Sequence, residues 1–222
     1  MPRIARIVIP EIPYHITTRG NRRQDVFFTP DDQTNFLNWL KQYSLLHELD
    51  ILAYCLMTNH IHLVAIPRTI NSMARTLHVT KGRHTQLVNR MNGWSGVLWQ
   101  GRYFSSALDD AHLWACIRYV EQNPVRAGIV NHAEEYIWSS ASCHCGLRAD
   151  PVLVSSGRFS GELEDWSKTL GEILDPKMVE RIRKRTHTGT PCGSEKFVEK
   201  ISRLSNREIK VRERGRPRKS QC

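Results

Sequence analysis

The stretch Asp50-Ile51-Leu52-Ala53-Tyr54-Cys55-Leu56-Met57-Thr58-Asn59-His60-Ile61-His62-Leu63-Val64-Ala65-Ile66 decides the fold of this 222-residue chain. Two β-prone runs, Asp50 to Leu56 and Ile61 to Ile66, flank a break at Met57-Thr58-Asn59-His60, which predicts a hairpin. On a strand, residues i and i+2 project from one face. His60 and His62 therefore point one way, and Ile61 and Leu63 the other. Leu56, Leu63, Val64 and Ile66 make this a core strand, where a spare polar pair needs a partner. Two neutral imidazoles on one face can hold a divalent ion. H-x-H alone is a weak motif, and paired surface histidines are its commoner source.

Upstream, Tyr14 to Thr18 is β-prone and ends at the turn signal Arg19-Gly20-Asn21. Thr29-Pro30-Asp31-Asp32 starts a helix, continued at helical spacing by Phe36, Leu37, Leu40 and Tyr43. Downstream, Asn71 or Ser72 caps a helix that runs to about Arg90 and breaks at Asn92-Gly93-Trp94-Ser95-Gly96. Val97-Leu98-Trp99 and then Tyr103 to Leu108 supply a further strand. Asp109-Asp110 start a helix from Ala111 to about Gln122, ended by Asn123-Pro124. The order is strand, helix, strand, strand, helix, strand, helix. That predicts an α+β fold: a ferredoxin-like split βαβ antiparallel sheet with helices on one face. Residues 1–132 form the expected body. Residues 133–176, with Trp138 and Trp166, are expected to wrap it as irregular structure and short helices. Residues 177–222 read as two helices around a Gly/Thr/Pro break, then a basic end.

Composition narrows the class. Apolar residues make up 40% and charged residues 24%, ordinary for a globular protein. No apolar run reaches the roughly 18 residues of a membrane span. Pro10, Glu11 and Pro13 interrupt the N-terminal apolar stretch, so it does not read as a secretory signal. The expectation is a cytoplasmic, nucleoid-associated protein whose cysteines, lacking framework spacing, are reduced thiols. The net charge is +10, and residues 177–222 hold all of it, with 15 Lys+Arg against 5 Asp+Glu. A neutral body with a basic tail points to a polyanion, most simply nucleic acid.

Tyr119 and Asn123 are four apart at the end of the last body helix and share a face. A tyrosine hydroxyl is a poor nucleophile unless activated. A metal can instead polarise the phosphate that it attacks, and Asn123 could complete the ion's shell through a hard carbonyl oxygen. Arg118 and Arg126 flank the pair and could bind phosphate. Tyr103, beside Arg102, is a rival nucleophile. Trp94 and Trp99 could stack on unpaired bases or be core. Cys143-His144-Cys145 lacks the two-residue gap of zinc knuckles. Arg214-Gly215-Arg216-Pro217-Arg218 has the form of a minor-groove hook.

Met57 to Val64, together with Arg118-Tyr119-Val120-Glu121-Gln122-Asn123-Pro124-Val125-Arg126-Ala127-Gly128, resembles the single-tyrosine HUH transposases of the IS200-like superfamily. Within that group the similarity is to the REP-associated tyrosine transposases of bacteria. Tyr14 to Asn21, Trp99 to Phe104, Thr188 to Pro191, Gly193 to Glu195 and Gly215 to Pro217 carry it further, over most of the chain. The resemblance implies a metal-dependent single-stranded DNA endonuclease and strand transferase acting on palindromic repeat hairpins. Tyr119 would be the nucleophile, leaving a 5′-phosphotyrosine and a free 3′-hydroxyl. His60 and His62 would bind Mg²⁺ or Mn²⁺, with Asn123 at the third metal position. The expected DNA contacts are Arg19, Asn21, Arg22, Arg102, Arg118, Arg126, Arg214, Arg216, Arg218 and Lys219. A monomer is favoured over a homodimer. The main alternative is a non-catalytic single-stranded nucleic-acid-binding module, since a four-stranded sheet of this order is also an RNA-recognition scaffold. A zinc hydrolase built on His60 and His62 would need a third strong ligand, and none stands at matching spacing.

Overall fold

A computed structural model describes residues 6–154 and 165–209. Arg214, Arg216, Arg218 and Lys219 lie outside the described residues. In chain order the elements are β1 (Tyr14–Arg19), α1 (Pro30–Leu46), β2 (Leu49–Met57), β3 (His60–Pro67), α2 (Ser72–Asn92), β4 (Phe104–Ala107) and α3 (Asp110–Glu121). Then come α4 (Asn123–Arg126), α5 (Ala141–His144), α6 (Trp166–Gly171), α7 (Pro176–Thr188) and α8 (Glu195–Ser205). Each expected element of the body is present, within a few residues of its expected ends.

The local causes are those of the sequence. The Thr29 hydroxyl accepts from the Asp32 amide while the Asp32 carboxylate accepts from the Thr29 amide, a capping box that starts α1 at Pro30. Gly93, in the left-handed region at φ 65°, ends α2. Asp109 caps α3 by accepting from the His112 amide.

The sheet order is β2-β3-β1-β4, with every neighbouring pair antiparallel. This is the split βαβ arrangement. Tyr14, Ile16, Ile61, Leu63 and Ala65 face Phe36, Leu40, Met73 and Leu77 of α1 and α2. The two crossover helices thus share one face, as expected. The expectation of helices on one face does not extend to α3, however. Cys55, Met57, Val64 and Ile66 pack on the opposite face against Leu113, Cys116, Ile117 and Val120 of α3. The reason lies in β2 and β3, which are apolar on both faces and so need cover on both. A bulge between Ile51 and Ala53 keeps the apolar residues of β2 in step with both cores.

Residues 133–154 and 165–171 fasten the far side of α3. Glu121, fully buried, accepts from Ser140 Oγ, from His144 Nδ1 (2.6 Å) and from Trp166 Nε1 (2.8 Å). Burial pulls the His144 imidazole down, but the Glu121 carboxylate outweighs it and leaves the group raised above its ordinary value. Three donors for one buried carboxylate are what a charge needs to be tolerated there.

The first helix of the basic extension belongs to the body. The Cys192 amide donates to the Ala107 carbonyl (2.8 Å) and Ser106 Oγ to the Thr190 carbonyl (2.7 Å), docking the segment along β4. This lays α7 across β4 and β1.

Candidate active site

A cleft of about 550 Å³ opens on the α3 face of the sheet. β1 contributes His15, Thr17 and Arg19, β3 contributes His60 and His62, and α3 contributes Tyr119. Asn123 and Arg126 come from α4, and Arg183, Thr186 and His187 from α7. Gly20 makes the turn that brings Arg23 to the same wall, since a Cβ there would sit 2.2 Å from the Gln24 carbonyl oxygen. Arg19, Arg23, Arg126 and Arg183 are all on the lining, and no carboxylate is, among the described residues. Such a wall favours phosphate.

The register sets Thr17 opposite His62 and His15 opposite Val64, so His15 is the diagonal neighbour of His62 on one face. Their rings lie side by side in nearly one plane, centroids 5.1 Å apart and 7° from parallel. A chain of hydrogen bonds fixes both tautomers. The Thr186 hydroxyl donates to the Ile182 carbonyl (2.8 Å), so toward His15 Nδ1 (2.7 Å) it can only accept. His15 therefore carries its proton on Nδ1 and accepts at Nε2 from His62 Nδ1–H (2.9 Å). This leaves a lone pair on His62 Nε2.

His60 reaches the same state independently. The Asn59 amide nitrogen donates to the Arg23 carbonyl (3.2 Å), which turns its oxygen to accept from His60 Nδ1–H (2.6 Å). His60 Nε2 is then the free lone pair, and the two rings are 5.0 Å apart, close to perpendicular. Burial holds His15 down to about 3. Burial and then the Arg19 charge hold His60 down to about 4. Burial, followed by the charges of its neighbours, lowers His62 well below its ordinary value. All three are neutral at pH 7, as ligands must be.

Tyr119 is 3% exposed, and its ring meets His15 and His62 edge-on at 5.7 and 5.6 Å. Its hydroxyl oxygen accepts from Arg183 Nε (3.2 Å). The Arg126 guanidinium lies 4.4 Å over its ring. Arg126 Nη2 also donates to the Tyr119 carbonyl and to Asn123 Oδ1 (2.8 Å). One lone pair of Asn123 is thereby used and one remains. Burial, above all, lowers the Arg126 pKa.

The structure thus gathers His60, His62, Tyr119, Asn123, Arg19 and Arg126. It separates others. Arg118 turns from the cleft to the Glu172 carbonyl (3.2 Å) and pairs with the Glu172 carboxylate. Asn21, Arg22 and Arg102 are not on the lining. Tyr103 is buried in the core of the other face, with Arg6 3.7 Å over its ring, and does not line the cleft. Trp99 is core, packed with Phe27 and Phe36. Trp94 is half exposed. Among the described residues no three His, Cys, Asp or Glu side chains gather as a metal site. His144 instead bonds the Glu121 carboxylate. Sequence reading gave no role to His15, Arg183 or Thr186. His15 carried a signal, as a histidine alternating with Tyr14 and Ile16 on a core strand. Arg183 and Thr186 had none beyond their helix.

A split βαβ sheet with paired histidines on one face and a tyrosine helix laid across them defines the class. The family described as "Transposase IS200 like" matches residues 8–123, more than half of the chain. The protein belongs to that family, whose members cut and transfer DNA. No curated protein matches it. Among solved structures, a REP-associated tyrosine transposase bound to a REP hairpin is similar at a TM-score of 0.57 and 16% identity, over 70% of this chain and 92% of that one. A candidate transposase from Deinococcus radiodurans R1 aligns at a TM-score of 0.39 and 16% identity, over 55% of this chain and 97% of that one. The first likeness is one of fold, and the second is too slight to argue from. No helix among the described residues is long and apolar enough to cross a membrane.

Proposed function

We propose that this protein is a metal-dependent single-stranded DNA endonuclease and strand transferase of the REP-associated kind, acting on palindromic repeat hairpins. One observation carries the reading. The Tyr119 hydroxyl shares an acid-free, arginine-lined cleft with two imidazoles whose Nε2 lone pairs have no partner among the described residues. That donor set fits a divalent ion such as Mg²⁺ or Mn²⁺, held by His60 and His62 with the remaining lone pair of Asn123. Bound there, the ion would polarise the scissile phosphate.

The chain's own residues do the rest. Arg19, Arg23 and Arg126 hold and orient the DNA backbone. Arg183 donates to the phenolic oxygen and orients it toward the cleft. The Tyr119 oxygen attacks phosphorus as the bond to the 3′ oxygen breaks. The phenol proton goes to solvent and the 3′ oxygen takes one up. The 5′-phosphotyrosine conserves the bond energy, so a 3′-hydroxyl can attack it in reverse and rejoin strands. The non-catalytic alternative has less support, because α1 and α2 cover one face of the sheet and α3 covers β2 and β3 on the other.

Incubation with single-stranded repeat DNA and Mn²⁺ should yield a protein–DNA adduct that survives denaturant. Tyr119→Phe keeps the ring and should yield none, while still binding the hairpin. An adduct formed by Tyr119→Phe, or none formed by the native protein, would refute the assignment.

A further inference from the structure

A second cavity, of about 460 Å³, lies next to the active-site cleft and takes no part in the chemistry above. Gln24, Asp25, Phe28, Asn89, Trp94, Ser95, Val97 and Leu98 line it. Phe28 is 46% exposed, Trp94 49% and Val97 73%, a cluster of large apolar side chains left open to water. The Phe28 and Trp94 rings meet at 5.5 Å and 79°, forming a corner and not a closed stack. One ring can then serve as platform and the other as wall.

The two cavities are joined through one short loop. Arg23 lines the active-site cleft and its neighbour Gln24 lines the second cavity. Between them and β1, Arg22 and Arg23 are both held in the left-handed region, at φ 53° and 64°. Neither is a glycine or an asparagine, so two adjacent residues carry strain, which persists where surrounding structure imposes it and clusters at ligand sites. Gly20 and the bond from its amide to the Asn59 carbonyl (2.8 Å) impose it here. The result is a run of cations, Arg19, Arg22 and Arg23, leading from Tyr119's cleft to an aromatic corner.

We propose that this corner is a binding site for an unpaired nucleobase of the same DNA strand that the active site cuts. The inference rests on the DNA-cutting reading. A nucleobase fits where other ligands do not. Asp25 lines the cavity and would repel a second phosphate, whereas a base offers N–H groups to its carboxylate. The phosphates of the same strand would lie on the arginines before the corner. Every base has a π face, so stacking on Trp94 gives affinity with little sequence preference.

The test compares a repeat hairpin carrying a short single-stranded thymidine flank with the same hairpin lacking it, in chelator so that nothing is cut. Phe28 and Trp94 are both half exposed, so each can be changed without opening the core. Trp94→Ala and Phe28→Ala should each weaken binding of the flanked hairpin about tenfold, within the range of one lost base–aromatic stack. Binding of the unflanked hairpin should not change. Trp94→Phe should restore most of the loss. Iodouracil placed in the flank should photocrosslink to the peptides holding Phe28 or Trp94. Unchanged affinity for flanked DNA in Trp94→Ala, an equal loss for both hairpins, or crosslinks confined to other surfaces would overturn the proposal. If no Tyr119 adduct forms yet the flank effect and crosslink persist, the pocket stands and the chemical reading falls.

Discussion

Thr186→Val is the sharpest probe of how the paired histidines are held, because Thr186 is buried and acts on His62 only through His15. Valine keeps the branched shape and removes only the hydroxyl. In the native protein that hydroxyl accepts from His15 Nδ1–H, and His15 Nε2 accepts from His62 Nδ1–H. Without it, the His15 donor is orphaned in a fully buried position, at a cost of about 1–3 kcal/mol. Moving that proton to Nε2 relieves the orphan but sets His15 and His62 donor to donor. His62 must then turn or carry its proton on Nε2, the atom a metal needs bare. Loss of such an outer partner lowers metal affinity by about 10- to 100-fold. The assay is hairpin cleavage against Mn²⁺ concentration. The half-maximal concentration should rise by that factor, cleavage at saturating Mn²⁺ should recover to near the native rate, and Thr186→Ser should behave as native. Thermal melting should show a folded protein destabilised by several degrees, at roughly 2–4 °C per kcal/mol for a chain of this size. A variant with an unchanged Mn²⁺ midpoint, or one impaired equally at every concentration, would show that the hydrogen-bond chain does not serve the metal site.

Further tests reach other parts of the molecule. His60→Ala and His62→Ala should each abolish cleavage while the chain still melts cooperatively, and excess chelator should silence the native protein; activity in chelator would remove the metal from the mechanism. His84 is buried among Phe27, Phe36 and Trp99, and neither ring nitrogen has a partner among the described residues. Burial holds it down to about 4, below its unfolded value of 6.5, so the unfolded chain binds its proton first. Its contribution is complete above pH 6.5 and is lost as pH falls toward 4, a loss of about 3 kcal/mol. Denaturant unfolding of His84→Leu between pH 7 and 4 should show a shallower acid loss; an identical acid slope would exclude His84 as its source. Removing residues 210–222 takes away Lys210, Arg212, Arg214, Arg216, Arg218 and Lys219. Ile209 is kept against the core. Hairpin binding should weaken, and its salt slope should flatten by roughly 0.7 for each lost contact to a single-strand phosphate and 0.9 on duplex. Cleavage at saturating DNA and low salt should persist; an unchanged affinity and slope would leave the tail without a DNA role.

The sheet was legible because its signals are local. Alternation along Ile61 to Ile66, the Thr29 cap and the Asn123-Pro124 break each act over a few residues, and the structure repeats them. The two-sided cover of the sheet was also written there, in strands apolar at nearly every position, but a split βαβ order read alone predicts one covered face. His60, His62, Tyr119 and Asn123 were found for a similar reason: each pair sits two or four residues apart on one element. Arg118 shows the limit. It neighbours Tyr119 in sequence, but one step along a helix turns a side chain about 100°, and that turn takes Arg118 to Glu172 instead of the cleft.

Where the extension packs was not legible in its charge, but its periodicity carried the signal. Summed over residues 177–222, the cations read as a basic tail for nucleic acid. Within α7, however, Met178, Val179 and Ile182 form an apolar stripe at helical spacing, which a tail in water does not need. That stripe packs on the α3 core, with Ile182 fully buried. Once it is seated, Arg183, Thr186 and His187, at i, i+3 and i+4, are carried onto the cleft. The site is therefore closed by a helix far in sequence from every residue it serves: Thr186 is 171 positions from His15 and Arg183 is 64 from Tyr119. A boundary at residue 132 or 176 would leave His15 Nδ1 without its acceptor and the Tyr119 oxygen without its donor. Net charge identifies the kind of partner, but the apolar period of a charged helix decides whether its cations sit in solvent or in the active site.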